Sequence, residues 1–195
     1  MKLKIIKMKN VQSTNNIALK LIKKKKFKPS LISALAQSKG KGTMGKKWIS
    51  KKGNVFVSIF FEIDQKKINF RQYAVLNAYI IKNIITKITK KKIEIKWPND
   101  LLLKKEKICG ILQEVINFNA KFFLIVGVGI NTNSSPVIKN YKTTSLRSIL
   151  KKRINNNAIL KKIQVEYEKF IPQAQKNIFV YFKRNILKKN ELSSW

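Results

Sequence analysis

The hydrophobic positions of this chain change period several times. Residues 3–8 are apolar-rich over the length of a short strand. Ser13 or Thr14 then caps a helix to about Lys25, with Ile17, Ala18, Leu21 and Ile22 on one face. Residues 31–37 (LISALAQ) are short, apolar and unbroken, the pattern of a buried strand. Residues 38–47 have no period, three glycines and four lysines, and read as a loop. Residues 54–63 (NVFVSIFFEI) carry the β-branched and aromatic residues of another strand.

Asn69 is placed to cap a long helix to about Lys90, with Tyr73, Leu76, Ile80, Ile84 and Ile88 along its buried stripe. Residues 93–97 alternate and stop at Pro98. Residues 101–103 and 107–115 make a hairpin around Lys104, Lys105 and Glu106. Residues 121–130 are a further strand, where Gly127 and Gly129 imply that something approaches the backbone closely. After Pro136 the pattern becomes helical, at 144–150 and 155–170. Pro172 is expected to kink or break the second helix, with a resumption over 178–186. Mixed strands and helices, with adjacent strands from 93 to 130, predict one α/β (α+β) domain: a mixed, mostly antiparallel sheet backed by helices.

Composition changes this picture in several ways. Apolar content of 44%, with 11 Phe and 3 Trp, supports a packed core rather than a disordered polycation. The absence of histidine removes imidazole acid–base catalysis and Cys/His zinc sites. One cysteine, Cys109, excludes an internal disulfide and fits a reducing cytoplasm. No uncharged stretch reads as a signal peptide or membrane span. The net charge of +34 is spread along the chain as lysine, with arginine only at 71, 147, 153 and 184. That spread reads mainly as a solvated surface, though it would attract anions and bind nucleic acid in a salt-sensitive way.

Candidate chemistry lies in two stretches. Residues 37–48 (QSKGKGTMGKKW) are not a P-loop, but Gly40, Gly42 and Gly45 permit backbone shapes that aim N–H groups at an anion. Lys39, Lys41, Lys46 and Lys47 add positive charge; the alternative is a solvated turn. Residues 96–114 (KWPNDLLLKKEKICGILQE) place Lys107 at the mouth of a core strand, as a fixed charge for a pocket or an ordinary hairpin-end lysine. Asp100 suits a magnesium brought by ATP phosphates, or a turn that bonds its own backbone. Asn131, past the glycine strand, suits a ribose, a phosphate or a turn.

Taken in order, residues 11–15 (VQSTN), QSKGKGTMGKKW, KWPND, KICGIL and GVGIN resemble the catalytic domain of the biotin–protein ligases of the BirA type. The resemblance runs from Val11 to Asn131, with weaker support at TSLRSIL. It implies a class II aminoacyl-tRNA-synthetase-like core that activates biotin with ATP as biotinyl-AMP. Biotin then passes to a lysine of the biotin carboxyl carrier protein of acetyl-CoA carboxylase. By position it implies that Ser13, Thr14, Asn15, Gln37, Gly40 and Lys41 meet biotin, with Gly110, Gly127 and Gly129 letting its rings lie on the sheet. Lys41 and Lys107 would be catalytic. Lys41, Thr43, Lys46, Trp48, Asn99, Asp100 and Asn131 would face the nucleotide, and Asp100 its Mg2+. Trp97 is expected to be core. No tightly bound metal is implied, nor sequence-specific DNA or membrane binding, and a homodimer stays open.

Departures from the family shape these expectations. The family loop carries arginines where this chain has Lys41, Thr43 and Lys46, so charge is offered without arginine's bidentate fork. The expected consequence is leakage of the adenylate. Few residues precede Val11, and the end of the chain is lysine-rich helix. The expectation is therefore a single catalytic domain over 1–195, helical from about 140, without a winged helix or a terminal barrel. Lipoate–protein ligase, of the same fold, and a basic nucleic-acid-binding module are the competing readings.

Overall fold

The computed structural model describes residues 1–64 and 70–185. Its strands are β1 (Lys4–Val11), β2 (Ser30–Gln37), β3 (Val55–Ile63), β4 (Glu94–Lys96), β5 (Asp100–Leu103), β6 (Glu106–Phe118) and β7 (Lys121–Ile130). Its helices are α1 (Thr14–Lys23), α2 (Phe70–Thr89), α3 (Leu146–Leu150) and α4 (Asn156–Asn185). The strands form one sheet in the order β1-β2-β3-β7-β6-β5-β4. β1 and β2 are parallel and joined through α1; every other pairing is antiparallel.

Strand alternation assigns the two faces. Leu124, Val126 and Val128 of β7 enter a large core with α2 and α4, whereas Phe123 and Ile125 enter a small one with Ala18 and Ile22 of α1. β3 is buried on both sides, which explains why it is apolar on both faces, with Ser58 the one buried polar residue within it. Tyr73, Tyr167 and Phe170 meet edge-to-face in the large core. The Tyr167 hydroxyl donates to Asn77 Oδ1 at 2.7 Å and ties α4 to α2. Beyond Ile125 on the α1 side, β7 turns to Gly127 and Gly129, so that face changes from core to cleft.

Several boundaries differ from expectation. Ser13 occupies the N-cap of α1, but its hydroxyl makes no capping bond, and the helix stops at Lys23. The expected cap at Asn69 lies outside the described residues, as does Ile186. β6 runs on to Phe118 because Asn119 and Ala120 (φ 52° and 56°) close a two-residue turn into β7 without glycine. α4 does not break at Pro172. Phe170, Ile171 and Ala174 are buried around the proline, and that packing outweighs the one backbone bond it forfeits.

Candidate active site

The cleft lies on the α1 side of the sheet, where α1 begins and where residues 38–50 cross over β6 and β7. The basic loop is a small hairpin rather than an open coil. Lys41 bridges Lys47, Gly42 N–H donates to Lys46 C=O at 2.7 Å, and Trp48 N–H donates to Gly40 C=O at 2.9 Å. A single 3-10 turn, Thr43–Gly45, forms its tip, with the exposed Met44 in left-handed conformation. Gly40 is required by close approach: an added Cβ would lie 2.5 Å from the Trp48 carbonyl oxygen.

Behind this loop a polar network crosses three elements. Gln37 Oε1 accepts from Thr14 N–H at 2.8 Å and from the Thr14 hydroxyl at 3.2 Å. Gln37 Nε2 donates to Ser50 Oγ at 3.0 Å. The Ser58 hydroxyl lies against Thr14 Oγ1 at 2.7 Å and Asn15 Oδ1. Asn15 Nδ2 donates to Glu114 Oε2 at 2.6 Å, and Glu114 Oε1 faces Lys41 Nζ at 3.6 Å. Ser13, Thr14, Asn15 and Ser58 are buried, so each bond lost here would strand a polar group. The network encloses a pocket of only about 30 Å3, and an open cavity of about 1090 Å3 lies above it along the loop.

The strand glycines are filled by the chain itself. Gly110 of β6 pairs with Gly129 of β7, and the Trp48 indole lies across both. An added Cβ would stand 2.6 Å from the ring at Gly110 and 2.5 Å at Gly129, while one at Gly127 would collide with the Asn15 amide. The close approach expected at these glycines is therefore made by Trp48 and Asn15.

On the other side of Trp48 lies Lys107, put there by a bulge. Leu101 pairs with Cys109 and Leu102 with Lys107, which leaves Ile108 unpaired. Regular alternation would have sent Lys107 into the core with Cys109 and Ile111. The extra residue turns it to the cleft. Its Nζ pairs with Asp100 Oδ1 at 2.8 Å and stands 5.4 Å from the Trp48 ring centre. The pair is 14% and 20% exposed, too buried for its charges to be water-screened like a surface bridge. Asn99 Nδ2 reaches Asp100 Oδ1 at 3.2 Å and Thr43 Oγ1 at 3.4 Å, linking KWPND to the loop tip. Cys109, behind Lys107, has its thiol pushed well above its usual range by burial and then by Asp100, so it is inert.

Asn131 is buried and mostly committed to the fold. Its N–H donates to Ile108 C=O and its C=O accepts from Leu146 N–H, both at 2.9 Å. Its Oδ1 is left without a partner, as is the buried Trp48 indole N–H. Trp97 is half-buried beside the cis peptide to Pro98. Lys46 is exposed and lines the large cavity. Among the described residues no three His, Cys, Asp or Glu side chains gather as a metal site, and no helix is long and apolar enough to cross a membrane. Ser50, Ser58 and Glu114 hold the network together without an assigned role from the sequence; Glu114 closes the 96–114 stretch, and Ser58 stands out as a polar residue within the otherwise apolar centre of β3.

A mixed, mostly antiparallel seven-stranded sheet with a parallel first pair, and a glycine–lysine hairpin closed over strand glycines, make up a class II aminoacyl-tRNA-synthetase-like fold. Residues 8–131 match the Biotin/lipoate A/B protein ligase family, and the chain belongs to it. The chain is 30% identical over 123 residues to the bifunctional ligase/repressor BirA of Escherichia coli, covering 62% of this chain and 38% of that protein. It is 29% identical over 166 residues to that of Bacillus subtilis, covering 82% and 51%. The chain thus spans about half the length, or less, of these relatives. The biotin protein ligase from Aquifex aeolicus in complex with biotin and ATP superposes with a TM-score of 0.75 at 28% identity, over 94% of this chain and 76% of that one.

Proposed function

We propose that the chain is an ATP-dependent biotin–protein ligase acting on a biotin carboxyl carrier protein. The observation that carries this reading is the cleft itself: the Thr14–Gln37–Ser58–Asn15–Glu114 network on one side of Trp48, and Lys107, Asp100 and Asn99 on the other. The likeness to an enzyme whose structure holds both biotin and ATP supports it.

In the first step a carboxylate oxygen of biotin attacks the α-phosphorus of ATP, and the bond to pyrophosphate breaks. Two anions must meet, so the chain's part is positioning and fixed positive charge. Lys41 supplies charge from the loop. Lys107 supplies it from β6, where Asp100 holds its ammonium group still. Magnesium arrives with the triphosphate. Asp100 can take part in holding it, since Oδ1 serves Lys107 and Asn99 while Oδ2 has no partner among the described residues. The unpartnered Trp48 N–H and Asn131 Oδ1 offer one donor and one acceptor for the nucleotide. In the second step the carrier lysine's amine attacks the acyl carbon and AMP leaves. The loop must cover the adenylate between steps, because water competes for the same carbon.

The pocket below Trp48 holds about one water, far less than biotin's fused rings. Biotin therefore enters by displacing the indole from Gly110 and Gly129.

The test is transfer of labelled biotin to a carboxylase carrier domain with and without MgATP. Lys107→Ala should lower the rate about 10²–10³-fold, the usual loss for one transition-state charge donor, with the fold intact by circular dichroism. No transfer by the unaltered chain overturns the reading, and lipoate bound in preference to biotin by calorimetry would move it to the lipoate branch.

A further inference from the structure

A second cavity, of about 840 Å3, opens on the other face of the sheet. Leu35 marks its side: Leu31, in the same alternation of β2, belongs to the core under α2 and α4, whereas Ile32 belongs to that under α1. No residue lines both this cavity and the catalytic cleft.

Its floor is rigid. Asn54 Oδ1 accepts three consecutive backbone N–H groups, from Thr132, Asn133 and Ser134, at 2.9–3.1 Å. The Gly53 carbonyl accepts from Asn133 Nδ2 at 2.9 Å and Asn156 Nδ2 at 2.8 Å. Asn133 Oδ1 accepts from Ile154 N–H at 2.9 Å. The start of β3, the segment after β7 and the approach to α4 are thereby locked together, so a ligand would meet a preformed wall.

Around that floor stand Lys52, Arg147 and Arg153. None has a carboxylate partner among the described residues, and the lining contains no Asp or Glu. The positive charge of this chain is mostly lysine, yet two of its four arginines line this one cavity. Guanidinium forks match phosphate oxygens in pairs, which ammonium groups do not. The amide of Asn157 and the hydroxyl of Ser134 add neutral hydrogen-bonding groups, and the volume is that of a small-molecule site.

We propose that this cavity is a second ligand site, distinct from the catalytic cleft, that takes a small phosphate-bearing anion between Arg147 and Arg153. The proposal does not depend on the biotin-ligase reading.

The side-chain Nε–Hε resonances of the four arginines in the 15N-labelled full chain test it directly. Inorganic pyrophosphate and AMP are titrated separately at 150 mM salt, one probing a free phosphate and the other a phosphate on a nucleoside. The Arg147 and Arg153 signals should move together on one saturable curve with at least one probe, leaving Arg71 and Arg184 in place. The Lys107→Ala chain should give the same curve, because that site is not the catalytic one. Arg147→Gln with Arg153→Gln should weaken binding, read from backbone amides of residues 132–134, by at least tenfold. The proposal is overturned if all four arginines drift together without saturation, if the curve disappears in Lys107→Ala, or if neither probe moves Arg147 and Arg153.

Discussion

Lys107 reaches the cleft because β6 carries one residue more than its partner strand, and several consequences follow at the residue scale. Asp100 is both its counter-ion and its anchor. Trp48 is held by the absence of side chains at Gly110 and Gly129. Gly129→Ala sets a methyl group against a rigid indole, so the ring must leave. The expected outcome is a loss of about 1–3 kcal/mol in denaturant unfolding with a changed tryptophan emission; unchanged emission would mean that the indole does not lie there. Thr43 faces Asn99 at 3.4 Å, on the nucleotide side of the cleft. On the proposed function, Thr43→Arg restores a guanidinium there and should slow adenylate escape, read as fewer labelled bystander lysines per carrier labelled. Equal labelling by both chains would remove Thr43 as the cause of leakage.

At the scale of elements, the β5–β6 hairpin turn is made without the residues that favour it. Lys104 and Lys105 both have positive φ (51° and 64°) between β5 and β6. Left-handed backbone costs an ordinary residue about 1–2 kcal/mol, whereas Asn-Gly adopts this turn readily. Replacing the pair by Lys104→Asn with Lys105→Gly should raise stability by about 1 kcal/mol, a rise in Tm of about 2–4 °C for a chain of this size. Because Lys107 follows two residues later, the same exchange tests whether the bulge depends on the turn. An unchanged transfer rate is expected, since the Ile108 bulge is set by the pairing with Leu101 and Leu102.

At the scale of the molecule, α4 fastens the first strand to the rest. Glu168 Oε1 accepts from Leu3 N–H at 2.9 Å and from Gln164 Nε2 at 2.9 Å. Its carboxyl stands below the usual range: desolvation opposes this, but the two hydrogen bonds, Lys161 and the N-terminal amine together outweigh it. A depressed carboxyl contributes stability above the ordinary carboxylate pKa and loses it as the pH falls through its own lower value. Glu168→Gln should therefore destabilise the chain at neutral pH and leave the difference smaller in acid, as measured by urea midpoints from pH 7 to 3. A gap that stays constant with pH would assign the effect to packing alone.

The periodicity of the chain determined most of the elements, their order and the helix faces, because those depend on local burial patterns in a single strand or helix. The motif order determined the family and brought the right segments to attention, since QSKGKGTMGKKW, KWPND and KICGIL keep their residue types at fixed places. Only the tertiary structure decided what those residues touch. The bulge that turns Lys107 out of the core exists only in the pairing of β5 with β6. The indole on Gly110 and Gly129, and the carboxylate of Glu114 between Asn15 and Lys41, join residues far apart in the chain, Asn15 and Glu114 by 99 positions, which no local pattern encodes. The cavity framed by Arg147 and Arg153 was invisible for the same reason: its walls come from separate segments of strand, loop and helix, none of which reads alone as a site.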